Sequence, residues 1–176
     1  MGMSDAGSSG LPEPWLRGTL TDVDAVRRQV LHALELTEED VSRWCAGLSD
    51  AEMNARPFGV ASVAFHLRHI AGSLDRLLTY AEGRALSDVQ MDALRGEMDE
   101  GASAELVLAA MRMGLSEARR RVMMISPGSY EEPRGVGRAR LPSTVGSLLV
   151  HCAEHTQRHV GQAITTAKVV VGMREG

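Results

Sequence analysis

The chain has 176 residues, enough for one domain with a sizeable core, and a composition of 44% hydrophobic and 24% charged residues excludes both a disordered chain and a membrane bundle. A formal net charge of −4 gives none of the basic footprint that nucleic acid requires, and no apolar run reaches the roughly 18 residues of a membrane helix. Aromatic residues make up only 3%, against ten methionines and abundant Ala, Leu and Val, which suits helix-on-helix packing better than a sheet core.

Residues 1–19 read as a flexible leader and 20–173 as one helical domain. Met1 to Gly10 is small and polar, without the basic start and apolar run of a signal peptide. Ala6 stands where a myristoylation pattern wants Ser or Thr. Cys45 and Cys152 lie far apart within helical patterns, forming neither a disulfide framework nor a CxxC site, so a reducing cytoplasm is the expected setting.

Asp22 or Asp24 opens the first helical pattern, in which Val23, Val26, Val30, Leu34, Val41, Trp44 and Leu48 recur at three- and four-residue steps. Pro57 and Gly59 break the chain before a second helix, from about Ala61 to Glu82, which carries His66 and His69. An acidic connection follows from Arg84 to Ala102, with Asp88 to Met98 fitting a short helix. A link this long can run the length of a bundle, so the third helix need not be antiparallel to the second. Ser103 caps that third helix, Ala104 to Ile125, whose Arg119-Arg120-Arg121 cluster reads as a solvated face. Tyr130 to Pro142 reads as a loop or short extended arm bearing Arg134, Arg138 and Arg140. Ser143 then caps a fourth helix to about Val171. Four long amphipathic patterns define an all-α four-helix bundle, whose core is a usual place for a metal site built from facing helices.

The fourth helix holds His151, His155 and His159 within Glu154-His155-Thr156-Gln157-Arg158-His159-Val160-Gly161-Gln162 and its flank. Histidines four apart lie about 40° apart in azimuth and about 6 Å apart along the axis, the spacing at which two imidazoles grip one ion. The outer pair, about 12 Å apart, cannot share one. A stripe of Val145, Leu148, Cys152, Ala163 and Val170 centres on His159, which turns His155 and His159 inward and leaves His151 at the rim. Thr156 occupies the place where a zinc protease needs its glutamate, so that reading fails. For a ligand from the second helix the candidates are His66 and His69, and the apolar stripe around Ile70 and Leu74 favours His66. His32 stands alone on the first helix as a packing or surface residue.

Two blocks about 85 residues apart resemble the DinB-like (YfiT-like) metalloenzyme superfamily. They are Ser62-Val63-Ala64-Phe65-His66-Leu67-Arg68-His69-Ile70-Ala71-Gly72-Ser73 and Glu154-His155-Thr156-Gln157-Arg158-His159-Val160-Gly161-Gln162. The sequence departs from the family pattern at Val160, where Arg is frequent. The resemblance implies an up-down-down-up bundle, frequent homodimers, and a metal held by one histidine of the second helix and two of the fourth. Its His-Ile step places these ligands at His69, His155 and His159, against the wheel's preference for His66, and the family register is followed here.

Three neutral imidazoles suit a divalent ion, Zn, Ni, Fe or Mn, and leave at least one position open. The resemblance implies a thiol S-transferase or detoxification enzyme acting on a small-molecule electrophile with a low-molecular-weight thiol. A metal-dependent hydrolase and a non-catalytic, stress-linked metal-binding or interaction module are the alternatives. Glu154 and Gln162 are candidates to position or accept a proton, Arg134, Arg138 and Arg140 to attract an anionic thiol, and Cys152 reads as a small core residue.

Overall fold

The computed structural model describes residues 11–175. Four long helices form the bundle: α1 (Ala25–Trp44), α3 (Val63–Ala81), α5 (Ala104–Met124) and α6 (Val145–Gly172). Two short ones, α2 (Asp50–Asn54) and α4 (Asp88–Arg95), lie in the connections. Each long helix begins where a side-chain oxygen accepts from an otherwise free backbone N–H: Asp24 for α1, Ser62 for α3, Ser103 for α5 and Thr144 for α6. The last cap falls one residue beyond the expected Ser143, because the second strand of a two-stranded antiparallel hairpin runs on through Thr144, paired with Pro133, and the helix starts only after it. That hairpin, β1 (Pro133–Val136) with β2 (Leu141–Thr144), is what the sequence presented as an extended arm.

Side-chain bonds between helices fix their directions. On α5, Arg119 reaches the carbonyl of Leu34, whereas Arg27 near the start of α1 reaches those of Met123 and Ile125, so α1 and α5 are antiparallel. On α6, Gln157 donates to the Ala33 carbonyl and Arg174 pairs with Glu52 beyond the end of α1, so α1 and α6 run together. Arg121 of α5 meets Asp75, Thr79 and Glu82 of α3, and Gly114 lies against Ala71, so α3 and α5 run together. His66 meets His159 and His69 meets His155, so α3 and α6 are antiparallel. The order is up-down-down-up. Two successive down helices require a connection that returns the length of the bundle, and the segment carrying α4 is that connection.

The core is aliphatic, built from Val30, Leu34, Leu67, Ile70, Leu74, Leu78, Met111, Leu115 and Leu149, with Cys45 and Cys152 buried among them. Arg121 is a correction to the solvated-face reading: it is buried, and its guanidinium is shared among Asp75, Thr79 and Glu82, which locks α3 to α5. Of the expected leader, residues 1–10 lie outside the described residues. From Leu11 onward the chain lies against α1, where Arg17 donates to Glu35 and Glu39 at 2.9 and 2.6 Å.

Helices α3 and α5 approach closely at Gly114, where an added Cβ would sit 2.8 Å from the Cβ and 3.2 Å from the Cα of Ala71. Alanine usually gains about 1 kcal/mol over glycine inside a helix. Here the clash is with backbone and side chain of a packed helix, so Gly114→Ala is expected to destabilise by about 1–3 kcal/mol. Urea denaturation checks the sign.

Candidate metal centre

His69 on α3 and His155 and His159 on α6 offer ligand atoms that all lie within 4.8 Å of one another. They meet because α3 and α6 cross antiparallel, which sets one turn of α3 against one turn of α6. His69 Nε2 is 3.0 Å from His155 Nε2, and the ring centroids of His155 and His159 are 4.5 Å apart. His66 lies one turn back toward the start of α3, with its Nδ1 3.1 Å from Nδ1 of His159.

The protonation pattern can be read from the partners. His69 Nδ1 lies 2.7 Å from Glu97, whose other oxygen accepts from Arg76 at 2.7 Å. Burial pushes the Glu97 carboxyl up, but the hydrogen bonds from His69 and Arg76 outweigh it and hold the group below its ordinary value. An ionised carboxylate only accepts, so His69 carries its proton on Nδ1 and turns the Nε2 lone pair toward His155. Carboxylate–histidine pairs of this kind orient metal ligands and raise their basicity. Gly72 makes the arrangement possible: a Cβ there would lie 2.6 Å from Glu97 Oε1 and 2.7 Å from Arg76 Nη1.

The donor set fits a cation. His155 Nδ1 is buried with no hydrogen-bond partner among the described residues. If His155 donates from Nε2 to His69, the Nδ1 lone pair is orphaned; if the proton is on Nδ1, that donor is orphaned and two lone pairs face each other at 3.0 Å. A divalent ion accepting both lone pairs removes the conflict between the facing nitrogens. Burial, then the neighbouring imidazoles, pushes His66 and His155 down to about 4 and lowers His159, so all three are neutral at pH 7, the state in which imidazole is a ligand.

This has a pH signature in the metal-free protein. Between about 4 and the ordinary value of 6.5, the unfolded chain binds protons that folded His66 and His155 do not. Stability is therefore fully present above about 6.5 and falls as the pH drops toward 4. Urea midpoints at pH 7.5, 6 and 5 are expected to decline in that order, and His66→Gln should flatten the decline.

The wheel and the structure differ on α6. Its buried face includes Leu149, Thr156 and Val160 as well as the aliphatics used for the wheel, because α1 packs on that side. The stripe is rotated accordingly, and His155 and His159 sit half-buried on its flank, with His155 lining a cleft. On α3 the wheel identified the more buried histidine, His66, at 5% exposure, whereas His69 sits at the cleft edge. Glu154 is turned to solvent, bonded to His151 Nδ1 at 2.6 Å and near Arg158. Gln162 is exposed and lines a separate, mostly apolar cleft of about 450 Å³ with His66, Phe58 and Val60. His32 is a buried packing residue bonded to Thr19. Two contributors escaped the sequence reading. Glu97 hid in a connection without regular periodicity, whereas Phe65, stacked on His69 at 5.3 Å between centroids, was legible as the residue four before it.

His69 and His155 open into the larger cleft, about 1050 Å³, between the C-terminal half of α3, α4 and the hairpin. No helix among the described residues is long and apolar enough to cross a membrane.

A four-helix bundle with a three-histidine group able to bind a metal ion, set between an antiparallel helix pair, defines a class of helical metal-binding proteins. The sequence profile of the DinB superfamily matches residues 33–163, and the chain belongs to that superfamily. The fold is similar to the crystal structure of the conserved protein of locus from Enterococcus faecalis, with a TM-score of 0.70 at 16% identity, covering 85% of this chain and 99% of that one. Comparison with curated proteins finds no match.

Proposed function

We propose that this chain is a divalent-metal-dependent thiol S-transferase in which His69, His155 and His159 hold the ion. Its reactants are a low-molecular-weight thiol and a small electrophile. The observation that carries the reading is the meeting of three imidazoles, two of which, His69 and His155, line a cleft of about 1050 Å³, room for two small reactants. A divalent ion with three protein ligands and an open position lowers the pKa of a thiol or water brought to it, which supplies a nucleophile at neutral pH.

The chain's own residues do the rest. Glu97 fixes the tautomer of His69, and His66 engages His159 Nδ1, leaving its Nε2 available to a ligand. Phe65 covers one face of His69 with an apolar ring, keeping water off it. His151 lines the cleft outside the three-histidine group, and Glu154 holds its Nδ1, so its Nε2 lone pair is available for the thiol proton. The sulfur–carbon bond forms as the electrophile's leaving group departs with its electron pair.

The test is turnover of a chromogenic aryl halide by untagged, metal-loaded protein, with and without a thiol. The expected result is product only with thiol, abolished by chelator. Ester hydrolysis without thiol would make the chain a hydrolase at the same site. Failure of the folded protein to take up any divalent metal overturns the reading.

A further inference from the structure

We infer that the large cleft beside His69 and His155 is an anion-binding site whose ligand carries a carboxylate or phosphate gripped by the hairpin arginines. The inference rests on the transferase reading only for what the site is used for, namely that one reactant is anionic; the anion site itself stands on separate residues.

The cleft inverts the charge of the molecule. The chain carries −4 overall, yet five arginines line this one cavity, Arg76, Arg84, Arg134, Arg138 and Arg140, against a single acid, Asp88. Three of the five are already engaged. Arg76 pairs with buried Glu97, Arg84 with Glu82, and Arg134 donates to the Ala81 carbonyl and to Glu132. The side chains of Arg138 and Arg140 make no hydrogen bond or ion pair with the described residues, although both residues line the cavity. The engaged arginines build the wall, and the other two supply donor forks that match a carboxylate or phosphate oxygen pair.

The backbone is shaped to present them. Arg138 and Arg140 sit on the tip that joins the two strands, closed by the Arg140 N–H donating to the Gly137 carbonyl at 3.1 Å. Arg140 has φ of 49°, the left-handed region that residues with a Cβ disfavour and glycine adopts freely. Across the hairpin, Gly135 leaves room for it: a Cβ there would lie 3.1 Å from the Cβ of Arg140. A long cationic side chain is thus kept at a strained turn position, lining a cavity that ends at the metal-ligand histidines. Strain of this kind persists where the surrounding structure holds it, and such positions cluster at ligand clamps.

The test uses the full chain, as purified and after chelation, so that an anion held only by a metal ion is recognised. Phosphate and glutarate are titrated by calorimetry into wild type and the Arg138→Gln/Arg140→Gln double variant, with the histidine ring protons followed by NMR. Expected is saturable binding that survives chelation, weakens at least tenfold in the double variant, and shifts His155 and His151 but not the distant His32. A preference for phosphate would assign a phosphate-bearing reactant, and a preference for glutarate a carboxylate-bearing one. Absence of binding in wild type, or affinity unchanged in the double variant, overturns the inference. Metal titration of the same proteins keeps the two readings apart: the double variant should bind metal like wild type, and a chain that holds the anion through these arginines but takes up no metal retains the anion site and loses the transferase reading.

Discussion

His69→Ala and His155→Ala are each expected to lower affinity for divalent metal by at least about 100-fold, read by calorimetric titration of untagged protein. The magnitude follows from what lesser changes do: removing only the hydrogen-bond partner of a metal-bound histidine typically costs about 10–100-fold. His66→Ala should behave differently. Its ring is buried at 5% exposure and meets one member of the group, His159, at Nδ1 without belonging to the group, so the variant should keep one ion per chain, lose less affinity and unfold at lower urea. Equal loss in all three variants would make His66 a ligand. Retention of wild-type affinity in His155→Ala would remove the three-histidine centre altogether.

Gly72→Ala should lower both stability and metal affinity, although helix propensity alone would make it a gain of about 1 kcal/mol. The new methyl would land 2.6 Å from Glu97 Oε1 and 2.7 Å from Arg76 Nη1. Both are ends of flexible side chains, but each is held by the other, and the side chains are only 6% and 11% exposed. Relieving the clash means parting a buried ion pair, which costs about 3–5 kcal/mol when one partner is lost outright. Set against the propensity gain, a net destabilisation of about 2 kcal/mol is expected. Displaced from Arg76, Glu97 also releases His69, and metal affinity should fall by about 10–100-fold. Glu97→Gln tests the charge alone: it keeps the volume and a hydrogen bond to His69 but leaves buried Arg76 without its counter-ion, so stability and metal affinity should both fall. Unchanged metal affinity in both variants would leave Glu97 as packing only.

The bundle was legible because its four long helices carry a 3.6-residue periodicity that survives in any tertiary context, and two of their four caps, Asp24 and Ser103, are among the residues expected from side-chain chemistry. The helix directions were implied only by the family resemblance, since they depend on pairings such as Arg119 with Leu34 that have no local signal. At the centre, the i, i+4 histidines of α6 were readable from spacing, but choosing between His66 and His69 was beyond a wheel. A wheel ranks burial, and burial is a poor guide to which ring joins the three-histidine group at a cleft edge. Glu97 could not be found this way: it lies in a 3-10 turn, Gly96–Met98, reached by a connection whose path is set by the bundle it wraps. The hairpin was missed for a related reason, because four-residue strands containing Pro and Gly carry too little alternation to register.

The α4 connection has a further consequence for how the centre behaves over time. Helix α4 buries none of its own residues and is held at its start by Gln90 donating to Asp75 and Thr79, and past its end by Arg68 donating to the Asp99 carbonyl. Within 88–99 only Glu97 is buried, anchored by Arg76 and His69, and a segment with so little other buried surface should exchange its amide hydrogens through local opening rather than global unfolding. Glu97 travels with it, so each opening event strips His69 of its orienting carboxylate while the four long helices stay closed. The hold on a bound ion should therefore depend on the docked fraction of one surface segment. Amide protection along 88–99 should rise when metal binds.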